Sequence, residues 1–365
     1  MVCNFSFTPR FMIISALGFL KNYRSLIVLS LMLIIACDKT QKPINIFISQ
    51  PEKVRLGTIP PYAEIVYHEN GFIYVMDRAG RNITQVTFEN SRVWEHVAVS
   101  PDKHYIAANE QTPNSTAAGG LSKIWLFDLS AGTEAQLLPY FLTAGNGGID
   151  WDKDGFIYFG AKEKDPVNNP TTPDDFRMNA GANDIYRIKY DGTGLQRLLN
   201  TPHSGEADIS VAEDGSMVAF VSQPVNTQID YTEIWMMNSN GTNPRMIYKA
   251  GQVKIASAHD PEFSPDNTKV IFSIVNSTVP PNFPQNPLAN TAHDIWSVNI
   301  NGSELKRLSK AGPISIAPDW KGELILYLDI SEADQYAGIS IINPNDTDQR
   351  PNRIKSGGNI AKWIP

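Results

Sequence analysis

One pattern returns along the whole chain and limits what it can fold into. An apolar, aromatic strand recurs at Ile73-Tyr74-Val75-Met76-Asp77, Ile124-Trp125-Leu126-Phe127-Asp128, Ile185-Tyr186-Arg187-Ile188, Ile234-Trp235-Met236-Met237-Asn238, Ile295-Trp296-Ser297-Val298-Asn299 and Ile339-Ser340-Ile341-Ile342-Asn343. Its copies start 51, 61, 49, 61 and 44 residues apart. A polar turn follows each copy, as at Asp191-Gly192, Asn240-Gly241 and Asn301-Gly302, and such pairs favour tight hairpins because both residues tolerate positive φ. A second short strand comes next, at Ile83 to Thr87, Leu195 to Leu199, Arg245 to Tyr248 and Leu305 to Ser309. Self-similarity of this period marks a repeat architecture.

Another pair of strands precedes each aromatic copy. The first ends in a turn at Val99-Ser100-Pro101-Asp102, Trp151-Asp152-Lys153-Asp154-Gly155, Val211-Ala212-Glu213-Asp214-Gly215, Phe263-Ser264-Pro265-Asp266-Asn267 and Trp320-Lys321-Gly322. The second is apolar: Tyr105 to Ala108, Phe156 to Gly160, Met217 to Ser222, Lys269 to Ile274 and Leu324 to Leu328. Four short antiparallel strands per unit, six times over, predict an all-β, six-bladed β-propeller, since a small two-faced sheet is stable only between neighbours. The 25 glycines and 25 prolines fit such a turn-rich chain. The first unit lacks its opening strand, and Ile360-Ala361-Lys362-Trp363-Ile364-Pro365 supplies one at the other end, so the C-terminal strand is expected to complete blade one and close the ring.

This order of Ser-Pro-Asp turn, apolar strand, Ile-Tyr/Trp strand, Asp/Asn-Gly turn and Arg-Leu, as in Arg197-Leu198 and Arg307-Leu308, resembles the propeller repeats of the TolB family over roughly residues 60 to 365. Tricorn-type and prolyl-oligopeptidase-type propellers have similar repeats. The resemblance implies a periplasmic, protein-binding propeller. The α/β domain that precedes the propeller in that family has no counterpart between Cys37 and the first blade, where only the polar segment Asp38 to about Gly57 stands.

The N-terminus resembles an export signal. Residues 1 to 37 hold Arg10, Lys21 and Arg24 but no acid, and the apolar run Ser25 to Ala36 is too short to span a bilayer as a helix. It ends in Ile34-Ile35-Ala36-Cys37, which resembles a lipobox. The expected organisation is a lipoprotein signal peptide over 1–36, lipidated Cys37 and a tether over 37–58, and the propeller over 59–365. The resemblance implies a protein anchored on the periplasmic side of a bacterial envelope. Acyl chains on Cys37 would hold it to the membrane, because each buried CH₂ contributes about 0.8 kcal/mol.

A net charge of −7 without a basic cluster argues against nucleic acid as a partner. Cys3 and Cys37 both precede the repeats, so the propeller has no disulfide and no thiolate metal site. No catalytic signature stands out: there is no Gly-x-Ser-x-Gly, no His-Glu-x-x-His and no phosphate loop. The opening strands of the blades are different, because they begin with Glu95-His96, Gly148-Ile149-Asp150, Glu206-Ala207-Asp208, His259-Asp260-Pro261-Glu262 and Pro318-Asp319. Aligned on the aromatic slot, one row reads His96, Gly148, Asp208, Asp260, Ala317, Ile360, and the row two residues later reads Ala98, Asp150, Ser210, Glu262, Asp319, Lys362.

Opening strands line a propeller's channel, so Glu95, His96, Asp150, Glu206, Asp208, His259, Asp260, Glu262 and Asp319 are candidate binding residues at its mouth. Such a funnel would attract a cation, a basic peptide segment or a polyol. His203 and His293 read as solvated, and His68 and His104 carry no assigned role. Long segments between second and third strands, at Glu110 to Gly120, Lys162 to Asn183, Gln223 to Thr232 and Asn276 to His293, mark the candidate binding face. The expected function is non-enzymatic binding or scaffolding of an envelope protein or peptide. The alternative is a metal-assisted polysaccharide lyase or other carbohydrate-active propeller, with His96, His259 and Asp260 as candidate ligands to Ca or Mn.

Overall fold

The computed structural model describes residues 50–111, 122–138, 142–166, 176–178, 183–201, 204–224, 232–249, 257–276, 292–309, 314–330, 337–346 and 351–365. The leader, Cys37, most of the expected tether, His203 and most of the long inserts lie outside the described residues.

Strands are the only regular elements among the described residues. β1 (Glu52–Lys53) precedes β2 (Ile65–Glu69), β3 (Phe72–Met76) and β4 (Thr84–Gln85). β5 (Trp94–Val99), β6 (Tyr105–Gln111), β7 (Ser122–Asp128) and β8 (Thr133–Leu137) pair in chain order as an antiparallel meander. β9 (Leu142–Trp151) and β10 (Phe156–Pro166) begin another, with β11 (Phe176–Met178) folded back on β10 before β12 (Asp184–Lys189) and β13 (Gln196–Arg197) complete it. The same meander returns in β14 (Ser204–Val211), β15 (Met217–Pro224), β16 (Glu233–Asn238) and β17 (Arg245–Tyr248). It returns in β18 (Ala258–Phe263), β19 (Lys269–Asn276), β20 (Ala292–Asn299) and β21 (Lys306–Arg307). The last full meander is β22 (Ile314–Lys321), β23 (Leu324–Ile330), β24 (Ala337–Ile342) and β25 (Asn352–Ser356). β26 (Ala361–Trp363) then lies antiparallel to β2, with Trp363 opposite Ile65, in a sheet ordered β26-β2-β3-β4.

By hydrogen bonding these strands make four sheets, two of four strands and one each of ten and eight. The sequence predicts six separate four-stranded units. The difference arises because single residue pairs, Ser122 with Ala144 and His293 with Ile314, join neighbouring meanders. The end of the expected tether is also structured: β1 pairs with β8, Val54 N–H donates to Gly132 O (3.1 Å) and Gly57 N–H to Val86 O (2.7 Å).

The repeated motifs have local causes. Ser100 Oγ donates to Asp102 Oδ1 and accepts Tyr105 N–H, and Ser264 does the same with Asp266 and Lys269, so Ser-Pro-Asp is a hydrogen-bonded turn. Arg197 and Arg307, the arginines of the Arg-Leu motif, pair with the buried Asp184 and Asp294 one strand earlier. Buried carboxylates are retained when an arginine fork meets them.

Apolar faces do the rest. Tyr158 and Ile185 of one meander pack on Ile209, Phe220 and Met237 of the next, and Ile271 and Ile295 pack on Ile325 and Tyr327. Leu326 and Ile339 of the last meander meet Ile65, Tyr67 and Trp363. Full burial of such a side chain contributes roughly 1.5–3 kcal/mol. Two meanders approach closely at Gly148, where a Cβ would stand 2.5 Å from Ile209 N and 2.7 Å from Ile209 O. Gly148→Ala is therefore expected to destabilise the protein by about 1–3 kcal/mol, as overpacking does. Urea unfolding with an unchanged midpoint would show that the two backbones can separate.

Candidate functional site

Opening strands carry a shift of register at equivalent places, between Trp94 and Val97, Ala207 and Ser210, His259 and Glu262, and Ile316 and Asp319. Such bulges re-aim side chains. Asp208, Asp260 and Ala317 sit in these bulges at φ 48°, 53° and 49°, in the left-handed region that L-residues rarely adopt. The row His96, Gly148, Asp208, Asp260, Ala317, Ile360 thereby lines one narrow cavity of about 20 Å³.

The carboxylates here reach from one opening strand to the next. Asp150 Oδ2 accepts Val211 N–H (2.8 Å), Asp208 Oδ2 accepts Asp260 N–H (3.3 Å) and Asp260 Oδ2 accepts Ala317 N–H (3.1 Å). Asp319 Oδ2 accepts Trp363 N–H in the same manner. Glu262 takes Ser210 Oγ (2.6 Å) and the Lys362 ammonium (3.2 Å).

Two candidates belong elsewhere. Glu95 accepts Ser122 Oγ (2.6 Å), while Glu206 accepts Ser204 Oγ (2.7 Å) and Thr201 Oγ1. Neither is among the residues lining the two channel cavities, and hydroxyls of their own meanders hold both carboxylates. Burial pushes Glu206 up to about 7 against those hydrogen bonds.

The histidines divide by environment. Burial pushes His96 down to about 4, with Asp208 pulling the other way, and burial does the same to His68 and His293. His293, read from sequence as solvated, instead stacks 6.5 Å from His259 with its Nδ1 buried. His259 differs. Burial lowers it, but the Asp208 carboxylate, 3.8 Å from Nδ1, and the charge of Asp260 outweigh burial and raise it. Burial likewise acts to raise Asp208, and His259 and His96 outweigh it, so Asp208 stays below the usual carboxylate range. Beside the narrow cavity His259 thus differs from its neighbours, raised by Asp208 while burial keeps His96 and His293 low. As for the metal candidates His96, His259 and Asp260, among the described residues no group of three His, Cys, Asp or Glu is arranged to hold a metal ion.

A larger cavity, about 930 Å³, opens where the opening strands end. Trp151, Phe263, Trp320 and Trp363 of the aromatic slot line it, and Asp150, Glu262, Asp319 and Lys362 are common to its inner wall. The sequence places the binding face at the other end of these strands, beside inserts that lie outside the described residues. It also names Lys362 only as the last member of a row. A base in a row holding three acids was the available signal.

No family model and no curated protein matches the sequence. The fold is similar to that of the putative TolB from Agrobacterium tumefaciens, at TM-score 0.55 and 14% identity over 83% of this chain and 99% of that one. It is similar to a chain of the nidogen/laminin complex, at TM-score 0.55 and 13% identity over 83% and 98% of the two chains. An oligogalacturonate lyase in complex with manganese is similar at TM-score 0.50 and 13% identity, over 86% and 85%. These likenesses show an all-β propeller fold of the TolB-like kind. Propellers host many activities, so function rests on the site.

The acids around Lys362 make stability depend on pH. Burial pushes Glu262 up to about 8, opposed by Lys362 and reinforced by Asp319 and Asp150. The folded state therefore holds a proton that the unfolded state has released, and stability falls as pH rises from about 4.3 to about 8. Glu262→Gln removes this dependence, so its Tm should fall less than the wild type's between pH 5 and pH 9. Parallel Tm curves for the two proteins would refute the assignment.

Proposed function

We propose that the protein is a lipid-anchored, six-bladed propeller of the bacterial envelope that binds a protein or peptide partner without turnover. The observation that carries this reading is the convergence of His96, Asp208, Asp260 and Glu262, from three different meanders, on one channel. The contact of Asp208 with His259 suits a basic or polar segment, and the carboxylates of Asp208 and Asp260 are already held by backbone amides. Six blades are supported by five complete meanders and by β26 with β2, β3 and β4. Closure of the ring is supported by the pairing of β26 with β2 and by the shared apolar cluster of the first and last meanders. Signal peptide 1–36, lipidated Cys37, tether and periplasmic location extend the same reading from the sequence. The TolB-like and nidogen-like folds agree with a protein partner, since the latter comes from a protein complex.

Full-length protein and an Asp208→Asn/His259→Gln variant, matched for Tm, can be cross-linked in envelope preparations. The expected result is one protein adduct on the wild type and its loss on the variant. Manganese-dependent cleavage of polygalacturonate by the wild type would replace this reading with the lyase. Cys37→Ser should move the protein from the membrane to the soluble fraction and abolish palmitate labelling. Deleting 359–365 should lower Tm sharply, and an unchanged Tm would remove ring closure.

A further inference from the structure

The second row of the opening strands has a structural identity as well as a sequence one. Ala98 stands opposite Ala107, Asp150 opposite Tyr158, Ser210 opposite Ala219, Glu262 opposite Ile271, Asp319 opposite Leu326 and Lys362 opposite Val66, each paired to the second strand of its own meander. Lys362 is the one base in this row. Its ammonium lies 3.2 Å from Glu262 and 4.0 Å from Asp150, and Asp319 holds the backbone N–H of the next residue, Trp363. The three acids come from three strands far apart in the chain, β9, β18 and β22.

We propose that Lys362 is an internal counter-ion that selects and locks the place of the last strand, its ammonium serving the carboxylates of Asp150, Glu262 and Asp319 together. This rests on the reading that β26 closes the ring. β26 has only three residues, so backbone pairing alone discriminates poorly among the many similar edges of a repeat protein. The side chains discriminate. A slip of one residue reverses the faces of a strand, which would place Trp363 among the carboxylates and the ammonium in the apolar cluster of Ile65, Tyr67, Met76 and Leu326. A charge stranded in that cluster is far more costly than a lost backbone bond. Buried ion pairs contribute little net stability against apolar replacements, and registry is their best-attested use. The same pair is shared by the channel's two cavities: Glu262 and Lys362 line both the narrow one and the wide one.

The test is a charge exchange in the full-length protein. Lys362→Glu should lower Tm by roughly 6–10 °C, the scale of a broken buried pair in a domain of this size. Hydrogen exchange at residues 361–364 should accelerate at least tenfold relative to β15. Lys362→Met, which cannot repel, should also speed that exchange. The double variant Lys362→Glu/Glu262→Lys should recover most of the Tm and protection lost by Lys362→Glu. Wild-type exchange in Lys362→Met, or no recovery in the double variant, including its failure to fold, overturns the proposal. Deletion of 359–365 separates the two readings. If the deletion lowers Tm while Lys362→Met keeps wild-type exchange at 361–364, closure stands and the lock falls. If the deletion leaves Tm unchanged, closure itself has failed.

Discussion

The structure depends on a single repeated contact, in which a carboxylate on one opening strand accepts the backbone N–H of the next. Asp150, Asp208, Asp260 and Asp319 each make it, and they link β9 to β14, β14 to β18, β18 to β22 and β22 to β26. A bulge frees an amide from its own ladder, and a buried amide without a partner costs about 1–3 kcal/mol. At Asp260 and Ala317 the aspartate of the preceding strand supplies that partner. Bulge and carboxylate therefore belong together there, and the left-handed backbone at Asp260 is held through its N–H by Asp208.

This arrangement gives the acidic residues two roles that composition cannot separate. Facing the next strand, they are structural acceptors. Facing the channel, they set its electrostatics. Three carboxylates around one ammonium leave the middle of the channel short of positive charge, and burial answers by raising Glu262 to about 8 and Asp319 to about 6. The histidines differ: Asp208 raises His259, while burial lowers His96 and His293.

Much of the fold was legible in the chain because its physical causes are local. Alternation of apolar residues, Asn/Asp-Gly turns and the Ser-Pro-Asp turn act over a few residues, and the strands stand close to where these signals place them. The convergence of His96, Asp208, Asp260 and Glu262 was legible as well, since alignment of the repeats carries any one position to the same radius of the fold. The hydrogen bonds of Glu95 and Glu206 were not legible, because they come from Ser122, Ser204 and Thr201, hydroxyls outside the aligned rows. His293 was misread for a related reason: its burial comes from packing beside His259, a residue 34 positions earlier in the chain.

The sequence by itself determined the strands, their turns and the repeat, because hydrophobic period and turn chemistry are properties of short segments. It also determined which residue types would stand on the opening strands. Only the tertiary structure decided what those residues do, because their partners come from other repeats. Lys362 is the clearest case. In the sequence it is a lone base near the last residue, while in the folded chain it meets acids at positions 150 and 262. An electrostatic contact between residues 100 and 212 positions apart has no local signature, and only the packing of one sheet against the next brings it into being.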